Sequence, residues 1–246
     1  MKIDLEKEAL IAAEKLRPLI PHLSIDALVN LVGTGNIPCV LSIASAKKLP
    51  PSICASIAET SDQSVVVELL KNRFIEIPEF SYLRIIERFG DDFTILFALE
   101  GRNDLSIKVW WEIMLSRLNL IFAVSDIAIQ SREINRTDDA IIALLWASPV
   151  AVREAYIDAL NHYSAITPSL IIKSLYSDDL DVTISLLSKL SFVASHKINR
   201  LFYDRDVQKI MELAQKIKIP QIIMSDFLNA VEENFQYKNE PMSWAA

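Results

Sequence analysis

The stretch "NRFIEIPEFSYLRIIERF", residues 72–89, decides the fold, because a proline stands inside a run that otherwise has helical apolar spacing. Proline lacks a backbone N–H and its φ is already near the helical value. It therefore suits the first turn of a helix and disrupts a helix interior. Pro78 predicts the start of a second helix, and the two helices together predict a hairpin.

The same pattern, an apolar residue before a helix start, returns at an interval of 28 residues. Pro50 and Pro51 follow Leu49 in the preceding segment, and Ser106, an N-cap residue type, follows Leu105 in the next one. Three sets of apolar residues share this interval: Ile37, Val65 and Phe93; Leu41, Leu69 and Phe97; Ile57, Ile85 and Ile113. A fixed interval near this length is typical of stacked helical repeats.

The second half carries a looser version of this pattern. Pro168 and Pro220 each open an apolar helical run. An interval of 27 residues relates Leu170, Leu175 and Tyr176 to Lys197, Phe202 and Tyr203. The polar residues 130–140, "QSREINRTDDA", predict a connection between the halves, and residues 236–246 predict a loose tail.

Composition favours a helical, acidic protein. The chain has 246 residues, 51% of them hydrophobic, and only four glycines, whereas phosphate loops and many turns need more glycine. The net charge of −7 disfavours a nucleic-acid footprint, which shows as clustered Lys and Arg. Residues 27–46 are uncharged, but Gly33, Gly35 and Pro38 interrupt them, so we predict no membrane span. The N-terminal residues do not have the pattern of a secretory signal, and we expect a cytoplasmic protein with reduced cysteines.

Two longer segments resemble a known family. Residues 91–114, "DDFTILFALEGRNDLSIKVWWEIM", resemble the leucine-rich units of an uncharacterised alphaproteobacterial family with HEAT-like repeats. Residues 171–220, in which an acidic turn is followed by apolar helices and a closing Ile-Pro, resemble its C-terminal part. The resemblance covers roughly residues 30–235 and implies helical repeats of unknown function, and it offers no catalytic residues to carry over.

We therefore predict an all-α protein, an α-α superhelix in which antiparallel helix pairs stack into a right-handed, curved solenoid of the HEAT-like kind. N-terminal repeats are expected over residues 1–129 and C-terminal repeats over residues 137–240. The second set either packs on the first half or continues it as one domain.

Residues 31–40, "LVGTGNIPCV", have the glycines of a nucleotide-binding loop. The dinucleotide fingerprint needs a third glycine where Pro38 stands, and no Gly-Lys-Ser/Thr follows. A helix-ending turn at Gly33 and Gly35 is the better interpretation.

Acidic pairs precede three apolar helical runs, at Asp91-Asp92, Asp138-Asp139 and Asp178-Asp179. A carboxylate pair can serve acid–base catalysis when its environment separates the two pKa values. Carboxylates at helix starts also accept the free N–H groups of the first turn. The recurrence of these pairs predicts helix capping.

Histidines and cysteines form no recognisable catalytic or metal motif. His22, His162 and His196 are far apart in the sequence, although Asp158 and His162 could meet on one helix face. Cys39 and Cys54 stand among apolar neighbours, which predicts buried thiols rather than a nucleophile. We predict no catalytic, cofactor-binding or metal-ligating residues.

Trp110 and Trp111 are adjacent, so on a helix their side chains point about 100° apart. At most one should face the centre of the core. The other is expected in a seam between repeats or at the surface, where it could anchor a partner.

These patterns favour a non-catalytic scaffold or adaptor that binds another protein. Two alternatives stay open: a HEAT-like nucleic-acid-binding protein, and a signalling module that carries phosphate on His162 or His196.

Overall fold

The computed structural model describes residues 11–12, 14–124, 133–177 and 180–237, and all the regular elements among them are helices. The chain divides between Leu120 and Ile121 into two compact units, here called the N-terminal and the C-terminal unit. The predicted all-α fold of packed neighbouring helices is confirmed.

The N-terminal unit begins with a short 3-10 helix, Ile20–His22. Its α-helices are α1 (Ile25–Gly33), α2 (Ile37–Ala44), α3 (Pro51–Thr60), α4 (Gln63–Lys71), α5 (Glu79–Phe89), α6 (Phe93–Glu100) and α7 (Ile107–Val124), the last of which continues past Leu120.

These helices form two layers. α1 packs on α3, and α3 packs on α5, in the first layer; α2 packs on α4, and α4 packs on α6, in the second. From α1 to α4, each helix thus contacts the one two positions further along the chain, as it does when helical hairpins stack. The predicted stacking is confirmed within this unit.

Most helix starts follow from local chemistry. Asn36, Asp62 and Asp92 accept a hydrogen bond from a backbone N–H in the first turn of α2, α4 and α6. Pro78 is the N-cap of α5, with extended backbone at φ −60° and ψ 145°, so it introduces a helix as predicted. Pro50 has the same role before α3.

The 28-residue register holds in one layer and fails in the other. Ile57, Ile85 and Ile113 are all fully buried, which confirms that set. The other two sets mix environments and were wrong: Val65 and Leu69 are buried, whereas Ile37, Phe93 and Phe97 are exposed.

Unequal connections explain the failure. The N-cap residues of the second layer are unevenly spaced: the interval from Asp62 to Asp92 is longer than the interval from Asn36 to Asp62. Positions must be counted from each N-cap, and the buried equivalents are then Val40, Val66 and Leu96, followed by Ile43, Leu69 and Leu99.

Side chains from one hairpin cap helix ends of the hairpin before it. The last carbonyls of a helix have no partner within the helix. Asn72 donates to the carbonyls of Ala44 (2.8 Å) and Ala46 (2.7 Å), at the end of α2. Arg88, on α5, donates to the carbonyls of Ala58 (2.6 Å) and Ser61 (2.8 Å), at the end of α3.

Arg102 makes the most extensive of these connections. Its side chain is buried and donates to the carbonyls of Leu70 (3.2 Å), Asn72 (2.9 Å) and Ile75 (3.2 Å). It also pairs with both carboxylate oxygens of Asp104, at 2.7 and 2.6 Å. Burial opposes ionisation of Asp104, but the hydrogen bonds and charge of Arg102 outweigh it, and the pKa of Asp104 is lowered.

Replacing Arg102 with methionine should lower the free energy of unfolding by about 3 kcal/mol, because it leaves Asp104 and three backbone carbonyls without their donor. Urea unfolding followed by circular dichroism measures the change. Arg84→Met is the matched control: Arg84 pairs with Glu59 and Glu87 at an exposed position, so its loss should change stability little. Equal effects of the two substitutions would contradict the role of Arg102.

The C-terminal unit contains α8 (Glu133–Ala147), α9 (Val150–His162), α10 (Pro168–Leu175), α11 (Leu180–Ser191), α12 (Ser195–Tyr203), α13 (Val207–Lys216), a 3-10 helix (Gln221–Ile223) and α14 (Met224–Tyr237). α8 packs on α10, and α9 on α11, as in the two-layer pattern. The pattern then changes, because α14 packs beside α10.

Two predictions about the second half need correction. The connection predicted over residues 130–140 is wrong from residue 133 onward, where α8 begins, and residues 130–132 lie outside the described residues. The buried side of α8 includes Asp138, Ala140 and Ile141, so its polar first turns continue into an apolar stripe. Of the predicted tail, residues 236–237 end α14 and residues 238–246 lie outside the described residues.

The 27-residue register holds in part. Leu175 and Phe202 are both buried, and Tyr176 and Tyr203, each next in the chain, are both exposed. The pairing of Leu170 with Lys197 is wrong, since Leu170 is fully buried and Lys197 is exposed.

Left-handed backbone ends four helices in this unit. Ser164, Phe192, Arg205 and Lys218 have φ between 53° and 60°. Such positions favour glycine, because a side chain then clashes with its own backbone. Phe192 is the bulkiest of the four, and its side chain is 92% exposed, so no burial offsets the strain.

Phe192→Gly should therefore raise the free energy of unfolding by about 1 kcal/mol, because it removes left-handed strain and loses little packing. Thermal and urea unfolding measure the effect. Phe74, which is also exposed but has no positive φ, is the control, and Phe74→Gly should not stabilise. A destabilised Phe192→Gly variant would show that the Phe192 ring contributes to the fold.

Candidate protein-binding surface

The two layers of the N-terminal unit present different surfaces. On the first layer, Arg84 forms exposed ion pairs with Glu59 (2.6 Å) on the neighbouring helix α3 and with Glu87 (2.6 Å) on its own helix. These ion pairs make this part of the first layer polar, although Phe80, on the same helix as Arg84, is 62% exposed.

The second layer carries apolar side chains on its outer side. Counted from the N-caps, the first and fifth residues of each helix lie one turn apart on one side. Five of these six positions hold apolar residues, Ile37 and Leu41 on α2, Val67 on α4, and Phe93 and Phe97 on α6, and the first position of α4 holds Gln63. We call these five residues the apolar face. None is buried, and Phe93 and Phe97 are 64% and 65% exposed.

The ring of Phe93 is held in place by a buried arginine on the next helix. The guanidinium carbon of Arg117, on α7, lies 4.1 Å from the centroid of this ring. Arg117 in turn forms a bidentate pair with Glu100, at 2.6 Å for both contacts, and each of these two side chains is only 9% exposed. One side of the ring is therefore fixed by a cation–π contact while the remainder is open to solvent.

Periodicity in the sequence did not find this surface, because the strict 28-residue register placed Phe93 and Phe97 in the core. The N-cap residue Asp92 is the signal that corrects this register. Counting from Asp92 puts both phenylalanines opposite the buried Ile95, Leu96 and Leu99.

A family model matches residues 20–243 of the chain, and its description is "Uncharacterised protein conserved in bacteria (DUF2336)". The chain belongs to this bacterial family. Neither the curated proteins nor the solved structures include a match to the chain. The resemblance noted in the sequence is thus confirmed at the level of an uncharacterised bacterial family.

The adjacent tryptophans of this DUF2336 protein, Trp110 and Trp111, do not serve as a free anchor. Trp110 and Trp111 are both half-buried, and both interact with other groups. The expectation that one of them reaches a seam or the surface is compatible with this placement, but neither is as open as Phe93 or Phe97.

The glycine-containing segment ends one helix and starts the next. α1 ends at Gly33, Gly35 has φ +65°, and Asn36 caps α2 through Cys39 N–H at 3.2 Å. The helix-ending turn is confirmed.

The acidic pairs differ from one another. Asp92 caps α6 by accepting from the N–H groups of Thr94 and Ile95, at 2.8 and 3.0 Å, so capping is confirmed there. It is wrong for Asp138-Asp139, which lies inside α8. Asp138 is buried near Thr167, and Asp139 pairs with Lys173 at 2.7 Å. Asp178-Asp179 lies outside the described residues.

The histidines are not brought together. His22, His162 and His196 are exposed on separate elements, and Asp158 pairs with Lys189 at 2.6 Å. His196 lines an open pocket of about 410 Å³ together with Arg153, Glu154 and Ser185. Across the described part of the chain, no three His, Cys, Asp or Glu side chains are grouped to hold a metal ion. No described helix is both long enough and apolar enough to span a bilayer.

Cys54 has the environment of a structural thiol. It is fully buried, its thiol lies 3.9 Å from the carbonyl of Glu76, and burial raises its pKa to about 11. The reactive thiolate is therefore disfavoured at neutral pH. Cys39 is only half-buried, so the prediction of a buried thiol is wrong for this residue.

A Cys39→Ser variant, whose single remaining thiol is Cys54, should react with a disulfide reagent such as Ellman's reagent only after unfolding in urea, since burial and the raised pKa both suppress the thiolate. A Cys54→Ser variant, which keeps Cys39, is the control and should react faster in the native state. Rapid native labelling of Cys54 would contradict its assignment as a core residue.

Proposed function

We propose that this protein is a non-catalytic interaction scaffold, which binds an apolar segment of another protein on the apolar face. The observation that supports the proposal most directly is the pair Phe93 and Phe97, two large aromatic side chains about two-thirds exposed one turn apart on α6. Contiguous exposed apolar surface typically marks an interaction site in a globular protein.

The contrast between the layers supports the same proposal. The first layer carries ion pairs on its outer side and also exposes apolar side chains such as Phe80 and Ile25, whereas the second layer exposes two aromatic rings one turn apart on a single helix. Phe93 is also held by the buried Arg117–Glu100 pair, and a preorganised side chain loses little conformational entropy on binding. Aromatic anchors fixed in this way are typical of binding hot spots.

The proposal includes three narrower statements. The stacked hairpins are of the HEAT-like kind, the protein acts in the cytoplasm, and its family branch is alphaproteobacterial. Stacking creates an extended surface along the repeats, which suits the binding of a long segment. The nucleic-acid and phosphohistidine alternatives stay predictions; the exposure of His162 and His196 is compatible with the second.

The double substitution Phe93→Ser/Phe97→Ser should abolish binding of a partner that the wild-type protein captures, with at least a tenfold loss of affinity, because both anchors disappear. The partner is first isolated by cross-linking from a bacterial extract, then purified and titrated by calorimetry. Phe80→Ser is the matched control, since Phe80 is 62% exposed on α5 in the first layer.

Circular dichroism checks that the double variant is folded. Sedimentation of the wild-type chain alone tests whether a second copy of the chain covers the apolar face. A dimer that forms with the wild-type chain and not with the double variant would show that the face serves self-association rather than binding of another protein. Equal binding of the partner by the wild-type and double-variant proteins would show that the apolar face is not the binding surface.

A further inference from the structure

A second surface lies entirely within the C-terminal unit, where α10 packs against α8 and against α14. An open groove of about 310 Å³ runs between α8 and α10. We call it the aromatic groove; it is lined by Asp139, Ile142, Ala143, Trp146, Lys173, Tyr176 and Ser177. Its volume is at the lower end of the range for ligand pockets, which suits a single side chain.

Two exposed aromatic rings form much of the groove. Trp146 is 59% exposed near the end of α8, and Tyr176 is 55% exposed directly after α10. Asp139, Ile142 and Trp146 lie on one side of α8, because these spacings correspond to whole helical turns. A tryptophan exposed to this degree contributes little to the core.

The charges of the groove lining balance, and the neighbouring helix α14 adds negative charge: Asn234 of α14 donates to the carbonyl of Leu175 at 3.0 Å, which brings this part of α14 beside Tyr176. The cation within the groove, Lys173, is neutralised by Asp139 at 2.7 Å. Asp226 and Glu233, two turns apart on α14, act on Tyr176: burial raises the pKa of Tyr176, and the charges of Glu233 and Asp226 raise it further. Among the described residues, neither of these carboxylates forms an ion pair, and α14 contains no Lys or Arg.

We propose that the aromatic groove binds an arginine side chain from an exposed basic segment of a partner protein. A planar guanidinium stacks on the faces of Trp and Tyr rings and pairs with carboxylates at the same time. The exposed rings explain why the site suits a flat cation, and Asp226 and Glu233 explain why it selects a positive charge.

The assignment extends the proposed scaffold function and does not depend on the apolar face. The two surfaces share no residue, so Phe93→Ser/Phe97→Ser should leave arginine binding unchanged. A partner could therefore use either surface without the other.

The test uses fluorescein-labelled peptides and the full chain, with binding followed by fluorescence anisotropy at low salt. The probe has the sequence Gly-Arg-Gly-Arg-Gly-Arg-Gly, and the comparison peptides replace each arginine by neutral citrulline or by lysine. We expect the arginine peptide to bind, with an affinity that falls as salt rises. The citrulline peptide should bind at least tenfold more weakly, and the lysine peptide should bind more weakly than the arginine peptide.

Two independent variants test the two parts of the site. Trp146→Ala removes the stacking surface, and Asp226→Asn/Glu233→Gln removes the charges; each should weaken binding of the arginine peptide about tenfold. Phe192→Ser, at an exposed aromatic outside the groove, is the control and should bind as wild type does.

Each alternative result overturns the proposal in a distinguishable way. Equal affinity for the arginine and citrulline peptides would exclude a cation site. Equal affinity for the arginine and lysine peptides would exclude guanidinium stacking. If Trp146→Ala does not fold, as judged by circular dichroism, the Asp226→Asn/Glu233→Gln variant decides, and wild-type affinity in that variant would exclude the groove.

Discussion

The N-terminal unit depends on how the carbonyls at its helix ends are satisfied. A helix of eight to eleven residues leaves a large share of its carbonyls without a partner, and burying them unpaired would cost more than the packing of a short helix returns. Asn72, Arg88 and Arg102 solve this by donating across the hairpin boundary. The same bonds fix how far one hairpin is displaced from the next, so capping and stacking are a single interaction here.

The helix starts could be predicted from the sequence, because proline and N-cap residues act locally, but the hairpin predicted across Pro78 was wrong: α5 packs with α6, the helix that follows it. Pro50 and Pro78 mark helix starts by backbone chemistry that needs no tertiary context. The register of the second layer could not be predicted from a fixed interval, since connections of unequal length absorb the difference. Residues 133–140 were also missed, because a charged sequence is equally compatible with a loop and with the first turns of a helix.

The candidate surfaces were harder to predict than the core. Phe93 and Phe97 have the residue type of a core position, and only their distance from Asp92 places them outside. Trp146 and Tyr176 are 30 residues apart, and the packing of α8 on α10 brings them to one groove. The sequence therefore shows which residues are large and apolar. Whether each faces the core or the solvent depends on where its helix begins and ends.

The donors point one way along the chain: each belongs to a later hairpin and serves an earlier one. During synthesis on the ribosome, the end of α4 stays hydrated until Arg102 has emerged, so each hairpin becomes fully stable only after its successor has been made. The array therefore has a polarity. Removing hairpins from its N-terminal side leaves no helix-end carbonyl without its donor. A chain cut before Arg102, in contrast, leaves the last carbonyls of α4 without a hydrogen-bond donor.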